Sequence, residues 1–185
     1  MLQLKFLPFP NLDAKRVSLR QLRREDIPQL YALRSNAQVM KYIAREPLKD
    51  IIAAETTFKR VTTGIENNEW ILWGVVPKTE KKVVGTVCLW NIAIEHHRAE
   101  IGYDLLPEYH GKGIMAEALA EVIKYGFNVL KLHSLEAQVN PLNNSSIKLI
   151  ERSGFVREAY LRENYCYEGQ FRDTAIYSLL ASEAI

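Results

Sequence analysis

Two glycines flank a lysine in Tyr109-His110-Gly111-Lys112-Gly113-Ile114-Met115-Ala116, between a short apolar run and an amphipathic segment. Glycine lacks a Cβ, so its backbone turns tightly and lets a ligand come close. The helix predicted downstream leaves its first N–H groups unpaired, with partial positive charge gathered at that end. Such a turn cradles phosphate. Gly-x-Gly alone is equally a plain turn, so its surroundings must decide.

Gly111-x-Gly113-x-x-Ala116 also fits a loose dinucleotide-binding fingerprint. That motif follows the first strand of a βαβ unit tightly, with an acidic residue about 20 positions on at the end of the next strand. Here Pro107-Glu108-Tyr109-His110 intervene, and Glu136 falls in the middle of the next predicted strand. A Walker loop fails as well, because no Gly-Lys-Ser/Thr follows.

The elements that must position the turn can be read from periodicity. Arg16 to Leu22 alternates apolar and polar residues, as a strand does. Glu25-Asp26-Ile27-Pro28 opens a helix whose apolar face is Ile27, Leu30, Tyr31 and the stem of Arg34. Pro47 begins a second helical region through Ile65, with Ile51, Ile52, Thr56, Phe58 and Val61 as candidate buried positions. Trp70 to Val76, Val83 to Asn91 and Arg98 to Leu106 read as three strands joined by polar turns, an antiparallel meander.

The pattern then changes. Ile114, Leu119, Val122, Ile123 and Phe127 recur at helical spacing, so a helix spans Gly113 to about Leu130. Ser134 to Val139 is a strand, and Ser145 to Ser153 a helix with Gly154 as its left-handed cap. Phe155 to Arg162 and Phe171 to Leu180 close the sheet. The expected fold is α+β, a mixed, mostly antiparallel sheet of about seven strands with helices on both faces, in one domain spanning 1–185.

Lys+Arg 24 against Asp+Glu 22 is too balanced to argue for direct nucleic-acid binding. No apolar run approaches the roughly 20 residues that span a bilayer, and the N-terminus, broken by Lys5, Pro8 and Pro10, does not read as a signal peptide. Cys88 and Cys166 form no CxxC pattern; reduced thiols in a cytoplasmic protein are the simplest reading, with a disulfide between them left open. His96 and His97 read as turn residues rather than metal ligands, having no cluster of acidic or thiol partners. Trp70, Trp73 and Trp90 read as core or sheet-face residues, one of which could wall a pocket.

Four segments together resemble the GNAT acetyltransferase superfamily, and within it the RimJ/RimL group of protein N-terminal acetyltransferases. They are Arg16-Val17-Ser18-Leu19-Arg20, Ala99-Glu100-Ile101-Gly102-Tyr103, the His110 to Ala118 loop, and Asn140-x-x-Asn143-x-x-Ser146 running to Glu151-Arg152-Ser153-Gly154-Phe155. They span most of the chain in the order that family has. Two positions depart from its phosphate motif, which prefers Gln or Arg first and Gly or Ala last: His110 and Met115.

The resemblance implies acetyl-CoA as cofactor and CoA as product. The amides of Gly111, Lys112, Gly113, Ile114, Met115 and Ala116 would meet the pyrophosphate. Ile101, Tyr103, Leu105 and Leu106 would face or pair with the pantetheine arm, which lies where two strands splay, as an added strand would. Gly102 is a candidate for the bulge that opens that gap, or simply a packing glycine. Asn143 would hold the cofactor arm, and Asn140 could do so or cap the next helix; capping is the alternative for both.

The implied reaction is direct attack of a primary amine on a thioester. It needs a base for the amine, donors for the oxyanion and a proton for the leaving thiolate. Glu100 is the candidate base, its pKa raised by apolar neighbours, unless it sits on a solvated sheet face. Ser146 matches the family serine proposed to protonate the thiolate, or bonds local backbone instead. Tyr103 and Tyr165 are further acid candidates. The implied acceptor is a protein N-terminus of ribosomal type. A small amine (polyamine, amino acid, aminoglycoside) or a non-catalytic CoA sensor are the alternatives. Arg34 to Pro47 and Tyr165 to Arg172 should border the acceptor end, and an exposed edge or helix leaves room for a homodimer.

Overall fold

A computed structural model describes residues 2–184. Eight strands form one sheet: β1 (Leu12–Asp13), β2 (Val17–Arg20), β3 (Ile71–Pro77), β4 (Gly85–Ala93), β5 (Arg98–Leu105), β6 (Ser134–Val139), β7 (Val156–Tyr167) and β8 (Gln170–Leu180). Their spatial order is β1-β2-β3-β4-β5-β6-β8-β7. Every neighbouring pair is antiparallel except β5 and β6. The strand beyond the expected seven is the two-residue β1, too short to show a period.

Helices α1 (Ile27–Ser35), α2 (Ala37–Met40) and α3 (Ile51–Glu66) stand between β2 and β3; α4 (Ile114–Asn128) and α5 (Asn144–Arg152) follow β5 and β6. α1 buries Ile27, Leu30 and Leu33, with Pro28 in its first turn. α3 starts later than Pro47 suggests, because Asp50 caps it by accepting the Ala53 N–H at 2.8 Å. That shift exposes Ile51 and Ile52 (43% and 68%) and leaves Thr56 exposed, contrary to expectation. The buried face of α3 is Ala54, Val61, Gly64 and Ile65. A Cβ on Gly64 would lie 2.0 Å from the Trp70 indole, so that packing requires glycine.

The core centres on β3, which is buried throughout. Trp73 is fully buried, donates Nε1–H to the Pro10 carbonyl at 2.7 Å, and meets Phe9 and Tyr125 edge to face. Phe6 is fully buried too, so the N-terminal segment belongs to the core. Trp73, Val87 and Tyr103 lie opposite one another in register, on the face that α4 covers through Tyr125. Alternation puts Thr86 and Asp104, Cys88 and Gly102, and Trp90 and Glu100 on the other face, where α1 reaches Asp104 through Arg34. Among the described residues no helix is long and apolar enough to cross a membrane. Cys88 and Cys166 are both free.

Candidate active site

The glycine turn leads into α4 with both glycines in the left-handed region, Gly111 at φ 71° and Gly113 at φ 73°. Gly113 is the N-cap, and the helical ladder starts with the Glu117 N–H on the Gly113 carbonyl at 3.2 Å. The N–H groups of Ile114, Met115 and Ala116 therefore have no partner within the helix. Arg16 fixes the shape of the turn. Its Nη1 donates to the Lys112 carbonyl at 2.8 Å, and its backbone N–H and Nε hold Glu117 at 2.9 and 2.5 Å. Those bonds hold the Glu117 carboxyl below its usual pKa. Space above Gly111 is open, whereas a Cβ on Gly113 would sit 2.7 Å from Arg16 Nη2.

The two departures from the motif have structural counterparts. The Met115 side chain is buried in the core and leaves only its amide at the helix end. His110 places Nε2 2.9 Å from the Leu105 carbonyl, tying the turn to the end of β5. Lys15, Arg16, Lys78 and Lys112 border a pocket of about 320 Å3 beside the turn. The free amides, open glycine and surrounding cations fit a pyrophosphate.

β5 and β6 are paired only at Arg98–Ser134, Ala99–Leu135 and Glu100–Glu136. Beyond Glu100 the strands part. The Leu106 N–H donates to the Val84 carbonyl at 2.9 Å, so by alternation the main-chain groups of Ile101, Tyr103 and Leu105 turn toward the gap. The Ile101 side chain lies in the core, so only its backbone is free for a ligand. Leu106 differs from expectation: its N–H is already bonded to β4. Gly102 is no bulge either. It pairs with Cys88 in unbroken register, and the irregularity lies in β4 between Trp90 and Ala93. A Cβ on Gly102 would come 3.1 Å from Cys88 Sγ, so close packing is its constraint.

Glu100 stands where the strands part and is 8% exposed. Burial, then the charge of Glu136, raises its pKa to about 7, against a lowering hydrogen bond from Asn91. Glu136 lies 3.7 Å from Arg98. Half-exposed Trp90 (45%) flanks Glu100 across the β4–β5 pair. On the opposite face, Tyr103 Oη and Ser146 Oγ are 2.7 Å apart. Burial pushes the Tyr103 pKa up to about 12, opposed by that hydrogen bond. Desolvation likewise pushes the half-buried Cys88 thiol up to about 12.

Asn143 caps α5, its Oδ1 accepting from Ser146 N–H at 3.2 Å and Ser145 Oγ–H at 3.0 Å. Asn140 accepts the Leu142 N–H at 2.9 Å, and its Nδ2 reaches Tyr165 Oη at 3.4 Å. Capping thus accounts for the Asn143 oxygen, whereas the Asn140 oxygen closes a turn at Leu142, ahead of α5. Ser146 and Tyr103 meet across 43 positions, and Glu100 stands apart from them on the other face. The roles of Arg16 in the turn, Glu136 beside Glu100 and Arg34 against Asp104 were not legible in the sequence. Each depends on strand register or on a contact between distant segments.

A sheet that splits between two parallel strands, beside a helix end open to phosphate, defines a CoA-dependent acyltransferase. The chain belongs to the GNAT family: the model for "Acetyltransferase (GNAT) domain" matches residues 16–156. It is an acetyl-CoA-dependent N-acetyltransferase. An uncharacterized N-acetyltransferase of Bacillus subtilis, YoaA, is 32% identical over 172 residues, 93% of this chain and 97% of the relative. The [ribosomal protein uS5]-alanine N-acetyltransferase of Escherichia coli is 31% identical over 108 residues, 58% of this chain and 56% of the relative. A crystal structure of spermidine N-acetyltransferase from Vibrio cholerae, in complex with CoA and spermine, superposes with TM-score 0.80 at 27% identity, covering 91% of this chain and 97% of that one.

Proposed function

We propose that this enzyme acetylates the α-amino group of a polypeptide by direct attack within a ternary complex, with Glu100 as general base. The observation that carries the base is its pKa of about 7 at the point where β5 and β6 part. A base titrating near the working pH is about half ionised at neutrality and can both take up and release a proton there. Bound acetyl-CoA supplies the thioester that the amine attacks. The Gly111 to Ala116 amides hold its pyrophosphate, the open edge of Ile101, Tyr103 and Leu105 pairs with its arm, and the free amide nitrogens of Asn140 and Asn143 are placed to assist.

Tyr103 and Ser146 act on the far face. A phenol with a pKa of about 12 transfers its proton uphill to a thiolate whose free value is near ~8.5. Tyr103 therefore steadies the leaving thiolate by a hydrogen bond, with Ser146 as its partner, and solvent completes the protonation. Base and donor on opposite faces of β5 let the amine attack from one side, losing its proton to Glu100, while the thiolate departs on the other, with no covalent enzyme intermediate.

A small polyamine acceptor is the second reading, favoured by the sequence match to a spermidine N(1)-acetyltransferase of Vibrio cholerae over 90% of this chain, against 58% for the uS5-alanine enzyme. CoA release should be measured with peptides beginning in Ala or Ser and with spermidine at equal concentration. Faster turnover of the peptides is expected; turnover of spermidine alone overturns the polypeptide reading.

A further inference from the structure

The three tryptophans have different surroundings. Trp73 is fully buried and bonded to Pro10, and Trp70 packs on Gly64. Trp90 is 45% exposed, on the face of β4 and β5 that carries Glu100. Trp90 and Glu100 are register partners, and directly opposed residues of an antiparallel pair hold their Cβ atoms about 4.5–5.5 Å apart. The indole also leans along the sheet. Its Nε1 and Cδ1 lie 3.6 and 3.9 Å from the point where a Gly102 Cβ would stand. Any side chain longer than a methyl at position 102 would meet the ring, so Gly102 leaves room for it.

That lean has a direction. β5 is paired with β6 only as far as Glu100, and Gly102 lies beyond that point, beside the gap. The buried Glu100 carboxyl and the half-exposed indole thus stand side by side on one face, where the sheet begins to open. An acceptor entering the gap from this face meets the carboxyl and the ring together. Its amine arrives mostly as an ammonium ion at neutrality, since α-amino groups titrate at about 8 and alkyl amines higher. The negative face of an aromatic ring attracts a cation within about 6 Å of its centroid, and tryptophan does so best.

We propose that the Trp90 indole seats the acceptor as its ammonium cation, beside Glu100, before the proton is removed. The proposal rests on Glu100 being the base. An ammonium N–H bond breaks, its proton goes to the Glu100 carboxylate, and the electron pair stays on nitrogen. The charge that held the amine to the ring disappears in that step. The neutral amine is then free to move into the gap toward the thioester. The ring favours a cation over a neutral group of the same shape and is indifferent to what lies beyond the amine. It therefore serves a polypeptide and a small amine alike.

The test measures binding of quaternary ammonium probes, which have no proton to give up, to the CoA-loaded enzyme. An N-trimethylalanyl peptide amide is compared with its neutral isostere, carbon replacing the quaternary nitrogen, and choline with its own carbon isostere. The charged peptide should bind more tightly than its isostere. Glu100→Gln should keep a preference of about fivefold, as a cation–π contact allows. Adding Trp90→Leu should bring the ratio close to one, and Trp90→Phe should keep part of it. Probe binding should change tryptophan fluorescence in the parent enzyme and far less in Trp90→Phe. Alone, Trp90→Leu should raise the acceptor KM about fivefold with kcat little changed. Charged probes that bind no better than their isosteres, a preference that survives Trp90→Leu in the Glu100→Gln background, or one that Glu100→Gln alone abolishes would each overturn the proposal. Preference for choline without preference for the charged peptide keeps the ring as the seat and removes the polypeptide reading. Undiminished turnover in Glu100→Gln, with the Trp90-dependent preference intact, removes the base and keeps the seat.

Discussion

The two faces of β5 are built by different means. Toward α4, the proposed phosphate site is backbone: eight consecutive residues, Tyr109 to Ala116, with two left-handed glycines and a helix end. Toward α1, the face proposed for the acceptor is charge: Glu100 and Asp104 from β5, Glu136 from β6 and Arg34 from α1. A site made of amides depends on dihedral angles and tolerates substitution of most side chains, as Met115 illustrates. A site made of charges depends on which residues stand there, and one substitution re-specifies it. On the proposed assignment, the backbone-built side suits a cofactor that stays the same and the charged side an acceptor that can differ.

The sharpest way to break this contrast is at Gly113. Gly113→Trp places a side chain at φ 73° and against Arg16, 2.7 Å from the Cβ position. Several amide–phosphate bonds should be lost together, weakening CoA by roughly a hundredfold or more in calorimetric titration. The Glu100 face should keep its pKa, because it lies across the sheet.

Glu100→Gln tests the other side. Turnover should fall about a hundredfold, the scale of a lost general base, while CoA affinity is kept. In the parent enzyme, kcat/KM should rise with pH through about 7 as Glu100 ionises. Its contribution to stability runs the opposite way. A carboxyl whose pKa is raised from 4.5 to about 7 on folding favours the folded state at low pH, and that contribution fades as pH climbs through 7. The Gln variant should lose both slopes, which parallel rate and thermal-melt profiles would check.

The same contrast explains what the sequence made legible. The meander, the single crossover and the helix after the glycine turn follow from local periodicity. The turn is contiguous, so its amides and both glycines could be placed by number. Gly102 stayed open between bulge and packing glycine because a strand glycine looks the same whether it bends the chain or packs against a sulfur; only register with Cys88 decides for packing. Leu106 looked like one more gap residue, yet alternation points its N–H at Val84. α3 was started too early because Pro47 is a local signal, while the Asp50 cap sets the face. Arg34 and Asp104 lie far apart in sequence and share no motif, so their pairing is purely tertiary.

Tyr103→Phe should have a smaller effect. It removes the hydroxyl that stands 2.7 Å from Ser146 Oγ, but a thiolate is a tolerable leaving group without help. A several-fold loss in kcat is expected, on the scale of one hydrogen bond. A loss as large as that of Glu100→Gln would instead make proton delivery to sulfur the demanding step, and would equalise the two faces in catalytic weight.

Glu136→Gln should change least in rate and most in interpretation. Glu136 raises the Glu100 pKa by its charge, second to burial, and Arg98 partly offsets that charge at 3.7 Å. Removing it leaves desolvation in place, so the Glu100 pKa should drop while staying above 4.5. The acid limb of kcat/KM should then move to lower pH, with the plateau above it little changed. Asn91, the remaining polar neighbour, favours the ionised form and so acts in the same direction. An unmoved limb would mean that burial alone poises Glu100. A limb moved upward would mean that Arg98, freed from Glu136, no longer screens the site as described, and the acceptor face would have to be understood as a network rather than as one buried acid among fixed charges.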